Sequence, residues 1–133
     1  MLISWNDHFA LGIEATDAGH GLVIEAINQL NEATTAEQSA RAAARLLPRL
    51  RQHLAAQFEA EAALMADLPA TTRIPHEAEH RRMIEVLDTL AVGQAAGGDV
   101  SGLLLLNLVC FLVSHLRATD GDTFAAHRFQ AAA

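Results

Sequence analysis

The sequence predicts an all-α fold, an up-down four-helix bundle with an N-terminal extended arm. Three features point to it. Four segments repeat apolar residues at helical spacing, the stretches between them are short and rich in turn-forming residues, and none alternates apolar with polar residues as a half-buried strand does. At 133 residues the chain makes one domain, long enough to bury a continuous core. Its expected parts are the arm over residues 1–16, the bundle over 17–120 and a tail over 121–133, with no internal repeat.

Composition narrows the classes. Hydrophobic residues make up 51% and charged residues 19%, which excludes a disordered chain. The net charge is -7, none of the nine basic residues is lysine, and the arginines form no basic stripe, so nucleic acid is not an expected partner. The most apolar run, Leu103 to Val113, is interrupted by Asn107 and falls well short of the roughly 20 residues a membrane span needs, so no membrane partner is expected. Met1 to Asp7 has neither a basic region nor a long apolar run, so no signal peptide is read and the expected location is the cytoplasm. The single cysteine, Cys110, stands among Val109, Phe111 and Leu112 and is expected to be a buried thiol packing as a small apolar residue.

The elements follow in order. Met1 to Thr16 show little periodicity, are broken at Gly12, and carry Trp5, Phe9, Leu11 and Ile13 as apolar points of an arm lying over the core. From Asp17, Leu22, Ile24, Ile27 and Leu30, with Val23 and Ala26 between, form a broad helical face. His20 falls near its first turn, and taken alone reads as a capping or surface histidine. Thr35 and Gln38 give a capping-box start to a second helix, Ala36 to about Met65, in which Pro48 should kink or divide the element. His53, Gln57 and Glu61 lie along it at intervals of four, a drift of about 40° per step.

Asp67 to Thr72 reads as a loop, and a third helix runs from Pro75 to Leu90. His76 and His80 share a stripe there with Met83, Leu87 and Leu90, which turns the two histidines inward. Val92 to Asp99 reads as a flexible turn containing Gly93, Gly97 and Gly98, with Asp99 or Ser101 capping the next helix. That helix, Val100 to about Ala118, is apolar nearly all round and is expected to be the most buried. It carries His115, with Asp120 five residues on. In a regular helix the two would stand about 140° apart, so they share a site only if they flank it or the helix is ending. Thr123 to Ala133 is expected to add a short helix with His127 exposed. Neither His127 nor His8 is given a role.

His76-Glu77-Ala78-Glu79-His80 carries the clearest chemistry. Histidines four apart on a helix are natural ligands for one metal ion. The stretch also fits the His-Glu-x-x-His pattern of zinc peptidases, but nothing here reads as the sheet those enzymes set beside that helix, and Glu77 is taken as a surface residue. A ferritin-type di-iron site expects Glu-x-x-His on two helices, and only Glu77 with His80 fits. The wider set is His20, Glu61, His76 and His80, and His115 with Asp120, one contribution from each helix. Nitrogen-rich ligation with two carboxylates suits a first-row transition metal, and two carboxylates can bridge two ions.

In that order and spacing the residues resemble the hemerythrin family, most closely its bacterial single-domain members. The features are Trp5 ahead of Gly12-Ile13, Asp17-Ala18-Gly19-His20 running into Ile27-Asn28-Gln29-Leu30, then Phe58, Glu61 and Leu64-Met65. His76-x-x-x-His80 and Phe111-Leu112-Val113-Ser114-His115 followed by Asp120 complete the set. The resemblance implies two iron ions, cycling between Fe2+ and Fe3+. One is held by His76, His80 and His115, and the other by His20 and a second-helix histidine, with Glu61 and Asp120 bridging. It implies dioxygen, or small anions, as ligands at the second iron, and Leu112 as the leucine lining the oxygen pocket.

One residue departs from the family. Where it has histidine four residues before the bridging glutamate, this chain has Gln57, a weak or lost ligand; His53, one turn earlier, serves as a replacement only if the helix shifts. A weaker second position leaves one iron in the limiting case. The expected function is non-haem di-iron oxygen binding, for carriage, storage or sensing, with reversible carriage impaired. No catalytic residue is assigned and an enzyme is not expected. The alternatives are a di-iron peroxidase or oxidase, or a partly metal-depleted interaction or sensor module. The protein partner is not specified by the sequence.

Overall fold

A computed structural model describes residues 14–124. The helices are α1 (Glu14–Glu32), α2 (Ala36–Met65), α3 (Ala70–Ala95) and α4 (Ser101–Phe111); α4 continues into a π-helical segment (Leu112–Thr119) and a last turn, α5 (Asp120–Thr123). There is no strand among the described residues. α1 packs on α2 and α4, and α3 packs on the same two, which closes an up-down four-helix bundle. Residues 14–16, read from sequence as arm, belong to α1; the rest of the arm, His8, and the tail from residue 125 with His127 lie outside the described residues.

Local sequence explains most boundaries. Thr35 caps α2, its hydroxyl accepting from Gln38 N at 3.1 Å, while Gln38 Oε1 accepts from Thr34 N at 2.9 Å, one residue beyond the expected box. α2 then runs through Pro48 as a single element rather than two. Pro48 and Ala44, whose carbonyl loses its partner, are both exposed, so water can take the lost bond. α3 starts at Ala70, not Pro75, directly after Pro69, whose carbonyl accepts from Thr72 and Arg73 N at 3.0 Å. It also extends past Gly93, and the chain turns only at Gly97, whose φ of +92° suits glycine. Asp99 Oδ1 accepts from Ser101 N at 3.0 Å, fixing the start of α4.

The core is one cluster of side chains from all four helices, including Val23, Ile27, Leu46, Leu50, Leu54 and Leu104. Met65 and Phe124 form a small apolar cap with Leu68. Two expectations about α4 fail together. It buries Leu104, Leu108 and Phe111, but Leu103, Leu106 and Cys110 are exposed, so it is not buried all round and its thiol is not in the core. A helix in a single-layer bundle turns one stripe inward, whatever the residues on its outer face.

Candidate metal centre

Alternating helix direction brings the beginning of α1, the end of α2, the beginning of α3 and the end of the π-helical segment to one end of the bundle. Each supplies a buried polar side chain there: His20, then Gln57 and Glu61, then His76 and His80, then His115 with Asp120. His20, a surface or capping residue on its own sequence context, is fully buried.

One ligating atom from each of Glu61, His76, His80, His115 and Asp120 falls within 4.8 Å of every other. Asp120 divides its oxygens. Oδ1 lies 2.8 Å from His76 Nε2 and 3.2 Å from His115 Nε2, while Oδ2 accepts a hydrogen bond from His20 Nε2 at 3.1 Å. Glu61 Oε1 stands 3.4 Å from His76 Nε2 and 3.6 Å from His80 Nε2. The π-helical backbone makes Asp120 available. Asp120 N–H donates to His115 O, five residues back, and the wider turn brings together two side chains that a regular α-helix would hold about 140° apart.

Packing fixes the rings. Phe58 stacks on His80 at 3.9 Å between centroids and 7° between planes, and Phe111 stacks on His115 at 4.8 Å and 6°. His76 Nδ1 lies 2.8 Å from Thr123 Oγ1, so an Nδ1–H donated to that hydroxyl turns the Nε2 lone pair into the cluster.

Both oxygens of Glu61, the Nε2 atoms of His76, His80 and His115, and Asp120 Oδ1 are buried without a hydrogen-bond partner. Their approaches are short but not aligned for hydrogen bonding, as expected of lone pairs turned toward a shared centre. Burial works to lower the His76 pKa, yet contacts with Asp120 and then Glu61 outweigh it and hold His76 at about 9. Burial likewise opposes ionisation of Asp120, and the close approach of the His115, His20 and His76 rings wins, pulling its pKa far below the carboxylate range. His80 is pushed down, first by burial. Two buried carboxylates beside imidazole nitrogens are costly without a cation. The donor set therefore fits a divalent first-row metal ion.

Other candidates fall outside this group. His53 is exposed and so is not placed to replace Gln57; one turn along α2 and about 40° around it, it faces solvent. Glu77 is half-buried and separate from the cluster. Leu112 is buried in the core at the start of the π-helical segment. Gln57 is buried, and neither its Oε1 nor its Nε2 has a hydrogen-bond partner. Its amide occupies the space beside Gly19, where a Cβ would lie 1.5 Å from Gln57 Oε1. Three residues around the site were given no part in it by the sequence: Thr123, Glu79 and Thr119. Glu79, inside the His76–His80 stretch, was the one with a visible signal.

A histidine and carboxylate cluster buried at one end of a four-helix bundle defines a class of metal-binding helical proteins. Comparison makes the class specific. The chain belongs to the hemerythrin family: the Hemerythrin HHE cation binding domain matches residues 11–126. It is 28% identical over 129 residues to a bacteriohemerythrin of Stenotrophomonas maltophilia, spanning 95% of this chain and 84% of that protein. It is 29% identical over 124 residues to a bacteriohemerythrin of Pseudomonas aeruginosa (strain LESB58), spanning 93% and 80%. No helix among the described residues is long and apolar enough to cross a membrane.

Proposed function

We propose that this chain is a non-haem iron protein that binds dioxygen, with one strong iron position and a weakened second one. The observation that carries the reading is the buried five-residue donor group, whose atoms converge without hydrogen-bonding one another. His76, His80 and His115 hold the first iron, His20 belongs to the second, and Glu61 and Asp120 are shared. The two-sided placement of Asp120, with His20 on one oxygen and His76 and His115 on the other, supports its bridging role.

The iron, when bound, supplies the electrons that dioxygen takes up. The chain's own residues set how openly they are offered. Gln57 brings an amide in place of an imidazole, a poorer donor that either ligates weakly or yields to water. Phe58 and Phe111 hold the His80 and His115 rings of the strong position by stacking on them. Leu112 is the residue assigned to the oxygen pocket. A more open second position favours oxidation over long-lived carriage, so oxygen or redox sensing is the favoured role.

The test is to load the protein with ferrous iron without oxygen and then mix it with dioxygen. Absorption of ferric iron should develop, and it should develop more slowly in Gln57→His. No oxygen-dependent spectral change would overturn the reading, and an unchanged rate in Gln57→His would overturn the role given to Gln57.

A further inference from the structure

We propose that Glu79 is a positioning carboxylate for His115, accepting its Nδ1–H and so holding the Nε2 lone pair on the metal; this rests on the metal-binding reading above. Glu79 immediately precedes His80 on α3, so its side chain leaves the helix about 100° away from the ligand stripe. It turns toward the π-helical segment instead. There Glu79 Oε2 lies 3.4 Å from His115 Nδ1, and Glu79 Oε1 accepts from the Thr119 hydroxyl at 3.2 Å. That hydroxyl is also 3.1 Å from Ser114 O, so its single hydrogen is shared between the two acceptors.

The demand for such a partner comes from His115 itself. Its Nδ1 is buried and has no hydrogen-bond partner, while its Nε2 faces Asp120 Oδ1 at 3.2 Å. An imidazole that ligates through Nε2 must carry its hydrogen on Nδ1, and an acceptor there fixes both tautomer and ring angle. At 3.4 Å the contact is longer than a formed hydrogen bond. A cation held on Nε2 would polarise the ring and make Nδ1–H a stronger donor toward Glu79.

His115 and His76 are thus supported differently. His76 has a neutral hydroxyl, Thr123 Oγ1, at its outer nitrogen; His115 has a carboxylate. The carboxylate is tolerated because it is on the wet side. The Glu79 side chain is 29% exposed and, with Arg82, Asn107, Cys110 and Ser114, lines a cavity of about 130 Å³ that reaches His115. Glu79 touches no proposed ligand site on the metal, so its effect passes through His115.

The experiment uses the full chain loaded with ferrous iron and, separately, with cobalt(II). It compares wild type with Glu79→Gln and Glu79→Asp by the rate of metal loss to a chelator, the visible cobalt spectrum, and thermal unfolding of the metal-free protein. Glu79→Gln should lose metal about 10–100-fold faster, the range for outer partners of metal-bound histidines. Its cobalt spectrum should shift, Glu79→Asp should recover part of the loss, and metal-free unfolding should not change. Metal loss from Glu79→Gln at the wild-type rate would overturn the proposal and leave the metal-binding reading standing. A faster loss matched by an equal fall in metal-free stability would reduce Glu79 to a structural role and also overturn it. Failure of the wild type to hold either metal would overturn both.

Discussion

His115 and Asp120, five residues apart in sequence, meet at 3.2 Å between Nε2 and Oδ1 because the backbone between them is π-helical. The same carboxylate reaches His76 with Oδ1 and His20 with Oδ2. Asp120→Asn keeps the shape but removes the charge and one acceptor oxygen. Metal affinity should fall by about 100-fold or more, beyond what losing an outer partner does, and the His76 pKa should drop from about 9. Titration calorimetry and histidine NMR check the two effects. Wild-type affinity in Asp120→Asn would remove Asp120 from the ligand set.

Metal uptake should be pH-dependent with a defined sign. His76, raised to about 9, is protonated at neutral pH in the metal-free protein and must lose that proton to ligate. Apparent affinity should therefore rise with pH up to about 9 and then level. Calorimetry in buffers of different ionisation enthalpy should find about one proton released from His76 per centre filled at pH 7. The metal-free fold behaves oppositely at this group. Its stabilising contribution is full below the unfolded histidine value of about 6.5 and is lost as pH rises through about 9. Asp120, with its pKa depressed, contributes above the unfolded carboxylate value and is lost toward acid. The two describe one shared interaction seen from either partner, so metal-free stability should peak between these limits.

Much of this architecture was legible in the residues. Periodicity gave four helices because each buries one stripe, and the histidines at positions 76 and 80 were visible because four residues is close to one helical turn. Hydrogen bonding that changes register was not legible. No residue pattern in Leu112–Thr119 announces a π-helix, so His115 and Asp120 seemed to point apart. The exposure of Cys110 and Leu106 was hidden because apolar neighbours do not reveal which face a bundle leaves outside. Pro48 misled because its cost depends on whether the orphaned carbonyl meets water, which is a tertiary fact.

Gly19 and Gln57 should be energetically coupled. A methyl group at Gly19 would collide with the buried Gln57 amide, so that side chain must shift to admit it. Gly19→Ala should destabilise the fold by about 1–3 kcal/mol, the usual cost of overpacking. Combined with Gln57→Ala, which empties that space, much of the penalty should disappear. Denaturant unfolding of the four proteins measures the coupling. Strict additivity would show that the close approach carries no energetic weight.

Iron content per chain tests the central claim most directly. Protein loaded with excess ferrous iron without oxygen is passed through increasing chelator, and the iron retained is measured by elemental analysis. The account predicts two distinguishable losses, a weak iron released first and a tightly held one that persists, with the weak one strengthened in Gln57→His. Two irons lost together at the same chelator concentration, or none retained at the outset, would contradict it.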